Sequence, residues 1–246
     1  MNFSTINQLK QKLDSKRPLP KAAIKNLREV FNVEWTYHSN AIEGNTLTLL
    51  ETKVVLEEGL TIGGKKLREH FEVINHGHAI SLIEDLVTKE IELSEKVLKD
   101  AHYLILKNID DENAGRFRSI NVAISGSEHK PPHFLKVQEE IEQLISWYKQ
   151  SKETLHPVEL AALFHFRFVY IHPFTDGNGR TARLLMNFLL MKEGYPPAIL
   201  KAQAEKRLAY YQALEKASVG GSTDEFITLV AENVEESLNR YLQAIE

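Results

Sequence analysis

Between two apolar stretches, residues 158–171 and 184–191, the chain reads IHPFTDGNGRTAR over residues 171–183. A histidine, a carboxylate, two glycines flanking an asparagine, and two arginines share one turn. His172 closes an apolar segment, where a neutral imidazole can take a proton from an attacking hydroxyl. Asp176, at the bend, is the hard oxygen ligand that a divalent ion such as Mg²⁺ uses beside phosphates. Gly177 and Gly179 allow a sharp bend and close approach of a ligand to the backbone. From Asn178 onward a helix begins, and its free N–H groups form an anion site. Arg180 and Arg183 lie three apart on one helical face, so both guanidinium groups can aim at the same polyanion. A base, a metal ligand, a backbone cradle and a charge clamp are the working parts of phosphoryl or nucleotidyl transfer.

Taken singly, each residue has an ordinary role: a packed histidine, a turn-forming aspartate, solvated arginines. Their joint occurrence, wedged between two core helices, is what points to a site. The common phosphate loop, G-x-x-x-x-G-K-[ST] after a strand, is a different pattern: here an arginine follows GNG, and a helix precedes it. An ordinary NTPase is thereby disfavoured.

The elements that must position these residues read as helices almost throughout. Ile6, Leu9 and Leu13 make a short amphipathic start that Pro18 and Pro20 close. Helical runs follow at about 21–42, 46–56, 68–87, 94–106, 137–149, 157–171, 178–192, 204–217 and 223–245. The pair flanking the motif is apolar nearly all round and must be central. In the 68–87 run, Phe71, Ile74, His78, Leu82 and Leu86 recur at helical spacing, whereas His76 and His78 face different sides. Residues 110–132 break the pattern: Asn121, Val122, Ala123 and Ile124 alternate like a strand, and Pro131-Pro132 rules out a central strand beyond them. The expected fold is all-α, a helical bundle with one short β-hairpin flap. Its N-terminal extension occupies 1–66 and its core 67–246.

Apolar residues make up 43% and charged residues 26% of the 246, ordinary values for a globular protein that can bury a sizeable core. A formal net charge of -4 gives no basic field for nucleic acid or an anionic membrane. The absence of cysteine removes disulfides, thiolate metal sites and cysteine nucleophiles together. No signal-type apolar region or membrane-length run stands out, so a cytoplasmic protein is expected. His129 and His133 in EHKPPH lack a third nearby ligand and argue for no metal.

HPFTDGNGRTAR resembles the Fic-domain signature HxFx(D/E)GNGRxxR at every fixed position. The likeness continues through TARLLMNFLLMKEGYPP and back through GRFRSINVAISGSEHKPP, covering most of the chain from about Ser39. The resemblance implies a Fic fold and transfer of AMP from ATP to a hydroxyl side chain of a target protein, with Mg²⁺ or Mn²⁺. Under it, His172 is the general base and Asp176 holds the metal. Phe174 anchors the loop, Gly177, Asn178 and Gly179 cradle phosphates, and Arg180 and Arg183 meet the β and γ positions. Asn121 to Ile124 form a flap on which a target strand docks by β-augmentation. Tyr210 and Tyr211 wall the nucleoside, although Ser218 stands where relatives often carry an asparagine.

Ser39 to Asn45, SNAIEGN, reads by itself as a helix terminus. It also resembles the (S/T)xxxE(G/N) inhibitory motif of Fic proteins whose inhibitory helix precedes the core. That likeness implies that Glu43 pairs with Arg183 in a bidentate contact, in the place of the ATP γ-phosphate. Other readings are an AMP-removing enzyme in which Glu43 positions water, a non-catalytic nucleotide-sensing module, and a DNA-associated regulator. The intact motif and acidic charge weigh against the last two. A homodimer contact that relieves inhibition is a further expectation.

Overall fold

The computed structural model describes residues 2–245, which form ten α-helices and one short 3₁₀ turn. The helices are α1 (Ser4–Ser15), α2 (Lys21–Ile42), α3 (Leu49–Glu58), α4 (Leu67–Thr88), α5 (Glu95–Leu106), α6 (Val137–Ser151), α7 (Pro157–Ile171), α8 (Asn178–Lys192), α9 (Ala204–Ser218) and α10 (Asp224–Ala244). Local chemistry explains several of these starts. Thr48 and Glu51 exchange hydrogen bonds in a capping box at α3, the Ser94 hydroxyl accepts from the Val97 N–H at α5, and Pro157 sits in the first turn of α7.

The antiparallel pair α7 and α8 forms the centre, with α4, α5, α6 and α10 packed around it. All residues of 180–190 on α8 are buried, including Arg180 and Arg183. Phe164, Phe168, Phe174 and Phe188 are wholly enclosed, each worth roughly 1.5–3 kcal/mol of burial. The turn between α7 and α8 is thus fastened at both ends to the best-packed part of the molecule. The boundary expected at 66/67 falls in the loop before α4, and Ile6, Leu13, Phe31 and Ile42 on its N-terminal side share the core cluster with α7 and α8.

Helix α4 buries Val73, His76, Ile80 and Ile83 most deeply, while the stripe through Phe71, Ile74, Leu82 and Leu86 is only half-buried and His78 is exposed. Three neighbours account for this: α3 covers one face, with Val55 and Leu56 packed near Ile74, and α5 and α8 take the other.

The expected β-hairpin is not formed, and no strand occurs among the described residues. Asn121 to Ile124 do alternate, with Asn121 and Ala123 exposed and Val122 and Ile124 half-buried. What is missing is a ladder partner: the returning leg carries Pro131 and Pro132, which have no N–H to donate. The alternation therefore describes an extended but unpaired segment. No described helix is long and apolar enough to cross a membrane.

Candidate active site

The turn joining α7 to α8 is built by three side chains. Asn178 reaches back across it, accepting from the Phe174 N–H and donating to the Phe174 carbonyl, both at 2.9 Å. Its amide is consumed by this staple, so only its backbone N–H remains for a phosphate. Phe174 lies flat on the His102 ring, centroids 3.5 Å apart and planes 1° from parallel. His102 accepts from the Gly115 N–H at Nδ1, which leaves Nε2–H to donate to the Asp176 carbonyl at 2.9 Å. A Cβ on Gly177, where φ is 74°, would meet Ile105 and this same histidine. His102 is therefore the floor on which the turn is laid.

His172 ends α7 in the left-handed region, φ 51° and ψ 59°, with its N–H bonded to the Phe168 carbonyl. Its Nδ1 faces the Val169 carbonyl at 3.4 Å, a contact that puts the proton on Nδ1 and leaves the Nε2 lone pair for a substrate. Burial pushes His172 down to about 4; the Val169 carbonyl and Glu43 oppose this only in part, while Arg118 and His129 reinforce it. The imidazole is neutral at physiological pH, as a base requires.

Asp176 is half-exposed, with Arg68 2.6 Å from Oδ2 and Arg180 3.4 Å from Oδ1. Desolvation raises its pKa, but Arg180, the Gly177 N–H and Arg68 together hold it below the ordinary carboxylate value. It thus offers an ionised hard oxygen facing solvent. One carboxylate is what Mg²⁺ commonly takes from a protein when phosphates supply its other ligands, so the donor fits that ion. Arg68 would have to give way.

The two arginines of α8 are engaged differently. Arg180 pairs with Glu72 at 3.3 Å and with Asp176, and its Nε has no partner. Arg183 turns toward α2: Nε donates to the Ser39 hydroxyl at 3.0 Å, Nη2 to the Ser39 carbonyl at 2.7 Å and to Glu43 Oε1 at 2.8 Å, and Nη1 to the Tyr210 hydroxyl at 3.2 Å. The expected bidentate contact is instead a single-oxygen one, because Ser39 and Tyr210 occupy the rest of the guanidinium. Glu43 lies against the first turn of α8, so close that a Cβ on Gly179 would collide with its carboxylate. The C-terminal carbonyl of α2, on Ile42, accepts from Arg207 at 2.7 Å and from Tyr211 at 3.0 Å.

A cavity of about 450 Å³ opens beside these groups, lined by Glu43, His172, Gly179, Tyr210, Tyr211 and Ser218 among others. Tyr210 is 2% exposed, with its hydroxyl on Arg183, whereas Tyr211 is half-open. The segment carrying Asn121 to Ile124 borders the cavity through Ile124. It is tied down at its ends: the Arg118 N–H donates to Pro173, and the Arg118 guanidinium to the carbonyls of His172, Ile120 and Pro132. Glu215 accepts from Ser127 and Glu128, and the Asn121 side chain accepts from the Phe134 N–H. His129 is occupied by the Tyr170 carbonyl at 2.8 Å.

His172, Glu43, Gly179, Arg183, Tyr210 and Tyr211 are brought together, while Arg180 and Asp176 face the Arg68 and Glu72 side of the turn. The sequence reading missed His102, Arg118, Arg68, Glu72 and Arg207. A histidine in the apolar stripe of α5, beside Leu98 and Ile105, was a readable signal for His102. For Arg118, Arg207 and the Arg68–Glu72 pair, whose partners lie far off in the chain, there was none.

A family profile described as Fic/DOC matches residues 92–190. The chain belongs to this family, since a solved Fic-domain-containing signaling protein from Bacteroides thetaiotaomicron is 31% identical, with a TM-score of 0.89 over 98% of this chain and 96% of that one. Solved Fic-1 from Caenorhabditis elegans is 36% identical, with a TM-score of 0.88 over 98% of this chain and 71% of that one. By sequence, the chain is 40% identical to protein adenylyltransferase fic-1 of C. elegans over 89% of its own length and 43% of the relative's. It is 36% identical to protein adenylyltransferase Fic of Nematostella vectensis, over 96% and 55%. The chain thus spans about half the length of the curated relatives it matches.

Proposed function

We propose that this chain is a protein adenylyltransferase that moves AMP from ATP to a Ser, Thr or Tyr hydroxyl and is held silent by Glu43. The observation that carries this reading is the 2.8 Å contact of Glu43 with Arg183, at the N-terminus of α8 and in the cavity that holds His172. The names of the curated relatives support the reaction class.

In this reading the target oxygen attacks the α-phosphorus, its proton passes to Nε2 of His172, and the P–O bond to the leaving pyrophosphate breaks. The N–H groups at the start of α8 face the phosphates, because Thr181 is the first residue whose N–H bonds back, to Gly177. Asp176 would hold the Mg²⁺ or Mn²⁺, which when bound neutralises phosphate charge. Arg180 and Arg183 would then exchange carboxylates for phosphate oxygens. Glu43 places a negative charge where the terminal phosphate needs Arg183, so ATP enters only in an unproductive pose. Asn121 to Ile124, unpaired and extended, offer a backbone edge to the target segment, and Tyr211 offers a ring to the nucleoside.

Glu43→Gly should raise AMP transfer by about two orders of magnitude, on the scale of removing a charge-assisted contact and its repulsion, and His172→Ala in that background should abolish it. Intact-mass spectrometry after incubation with ATP and Mg²⁺ or Mn²⁺, alone and with a lysate, checks both. If Glu43→Gly modifies neither itself nor any lysate protein, the proposal is wrong.

A further inference from the structure

Helix α7 carries a second histidine that the proposed chemistry leaves idle. His165 is wholly buried, and its Nε2 lies 3.2 Å from the Tyr210 hydroxyl. That hydroxyl lies 3.2 Å from Nη1 of Arg183. The ring meets Tyr210 edge-on at 5.8 Å and leans on Phe226 at 4.9 Å. The direction of each hydrogen bond follows from what the groups can do. A guanidinium only donates, so the Tyr210 oxygen accepts from Arg183, and its own hydrogen is left for Nε2 of His165. The neutral imidazole then carries its proton on Nδ1, and that atom is buried without a partner.

An orphaned N–H in a core is destabilising, and an apolar ring would fill the same space between Tyr210 and Phe226 without it. Burial, with the Arg183 charge, holds His165 well below its ordinary value, so the ring keeps its acceptor. We infer that His165 is a positioning residue: through the Tyr210 hydroxyl it fixes the Arg183 guanidinium so that it points at the N-terminus of α8. The other hydrogen-bonding contacts of Arg183 come from Ser39 on α2 and from Glu43 just beyond its end. Loss of Glu43 removes part of that support, whereas the α7–α9 relay stays in place and holds the guanidinium ready for a terminal phosphate. What arrives at Arg183 rests on the functional proposal above; the relay itself does not.

The test uses the Glu43→Gly protein with ATP and AMP as calorimetric probes, because only ATP carries phosphates that reach Arg183. His165→Phe should weaken ATP binding about tenfold, or about 1.4 kcal/mol, and leave AMP within about twofold. His165→Gln, which keeps an acceptor near the Nε2 position, should recover most of the loss. Tyr210→Phe keeps the ring and should reproduce the loss, and the double variant should add nothing, as for two members of one chain. In turnover, the defect should appear in the ATP KM with kcat within about twofold. Equal losses for AMP and ATP, no loss for ATP, or additive losses would each overturn the relay. Should His165→Phe fail to fold, His165→Gln and Tyr210→Phe carry the comparison. Transfer of AMP without the ATP/AMP split sinks the relay alone; the split without any transfer sinks the functional proposal alone.

Discussion

Two irregular segments meet at His172, and they are held in opposite ways. The turn at 173–177 is cross-braced along its length from α5 and α8, by the Asn178 staple, the His102 ring beneath Phe174 and the His102 bond to Asp176. The stretch at 119–128 is held more sparsely, by Arg118 at one end, Glu215 at the other and the Asn121 side chain on the Phe134 N–H, and its middle makes no ladder. The difference teaches how an irregular backbone can serve two purposes. Where groups must sit within tenths of an ångström, side chains from several helices replace the missing regular hydrogen bonds. Where the proposed target segment would dock, no ladder partner occupies the backbone.

The sharpest way to break this contrast is to remove the brace. Phe174→Ala should cost about 3–5 kcal/mol and abolish AMP transfer in the Glu43→Gly background; chemical denaturation and the transfer assay read the two effects. A fall below 1 kcal/mol would mean the turn does not depend on its floor.

An intermediate effect comes from pH. Burial pushes His38, His102 and His172 down from an ordinary 6.5 to about 4, and holds His76 and His165 well below it. Each is neutral when folded and takes up a proton on unfolding below about 6.5. Their contribution is therefore complete above that value and is lost as pH falls toward 4. Tm should drop steadily over that window, and the transfer activity of Glu43→Gly should fall only in its lower half, where His172 itself gains a proton. A flat Tm from pH 7 to 4.5 would contradict this.

The smallest effect on stability should come from the other segment. Ala123→Pro removes one backbone N–H from the exposed edge and should shift stability by no more than about 0.5 kcal/mol. It should nevertheless lower the modification of an external target about tenfold, if backbone pairing registers the hydroxyl. Unchanged modification, compared side by side with Glu43→Gly alone, would remove this segment from target recognition.

Much of this arrangement was legible in the sequence because its signals are local. Thr46 and Thr48, Ser94, and the apolar flanks of α7 and α8 set helix limits within two or three residues of those observed. The site motif is contiguous, so His172 to Arg183 could be assigned roles directly. The illegible parts depend on partners distant in the chain. Alternation at Asn121 to Ile124 announced an extended backbone, but pairing is a property of two segments, and the second was disqualified by its prolines. Arg118 and Arg207 read as ordinary surface charges until the carbonyls they hold, on His172 and Ile42, are brought beside them.

The double tie on the Ile42 carbonyl bears on how fast the proposed inhibition could be lifted. Arg207 and Tyr211 moor the end of α2 to α9, one residue before Glu43. Withdrawing the helix would break both tethers together with the Ser39 contacts, a collective motion of microseconds to milliseconds. Swinging the carboxylate away needs only rotation about side-chain bonds, on a timescale of picoseconds to nanoseconds once the contact is released. The mooring favours the second route: with the backbone berthed, the proposed gate would be one side chain wide.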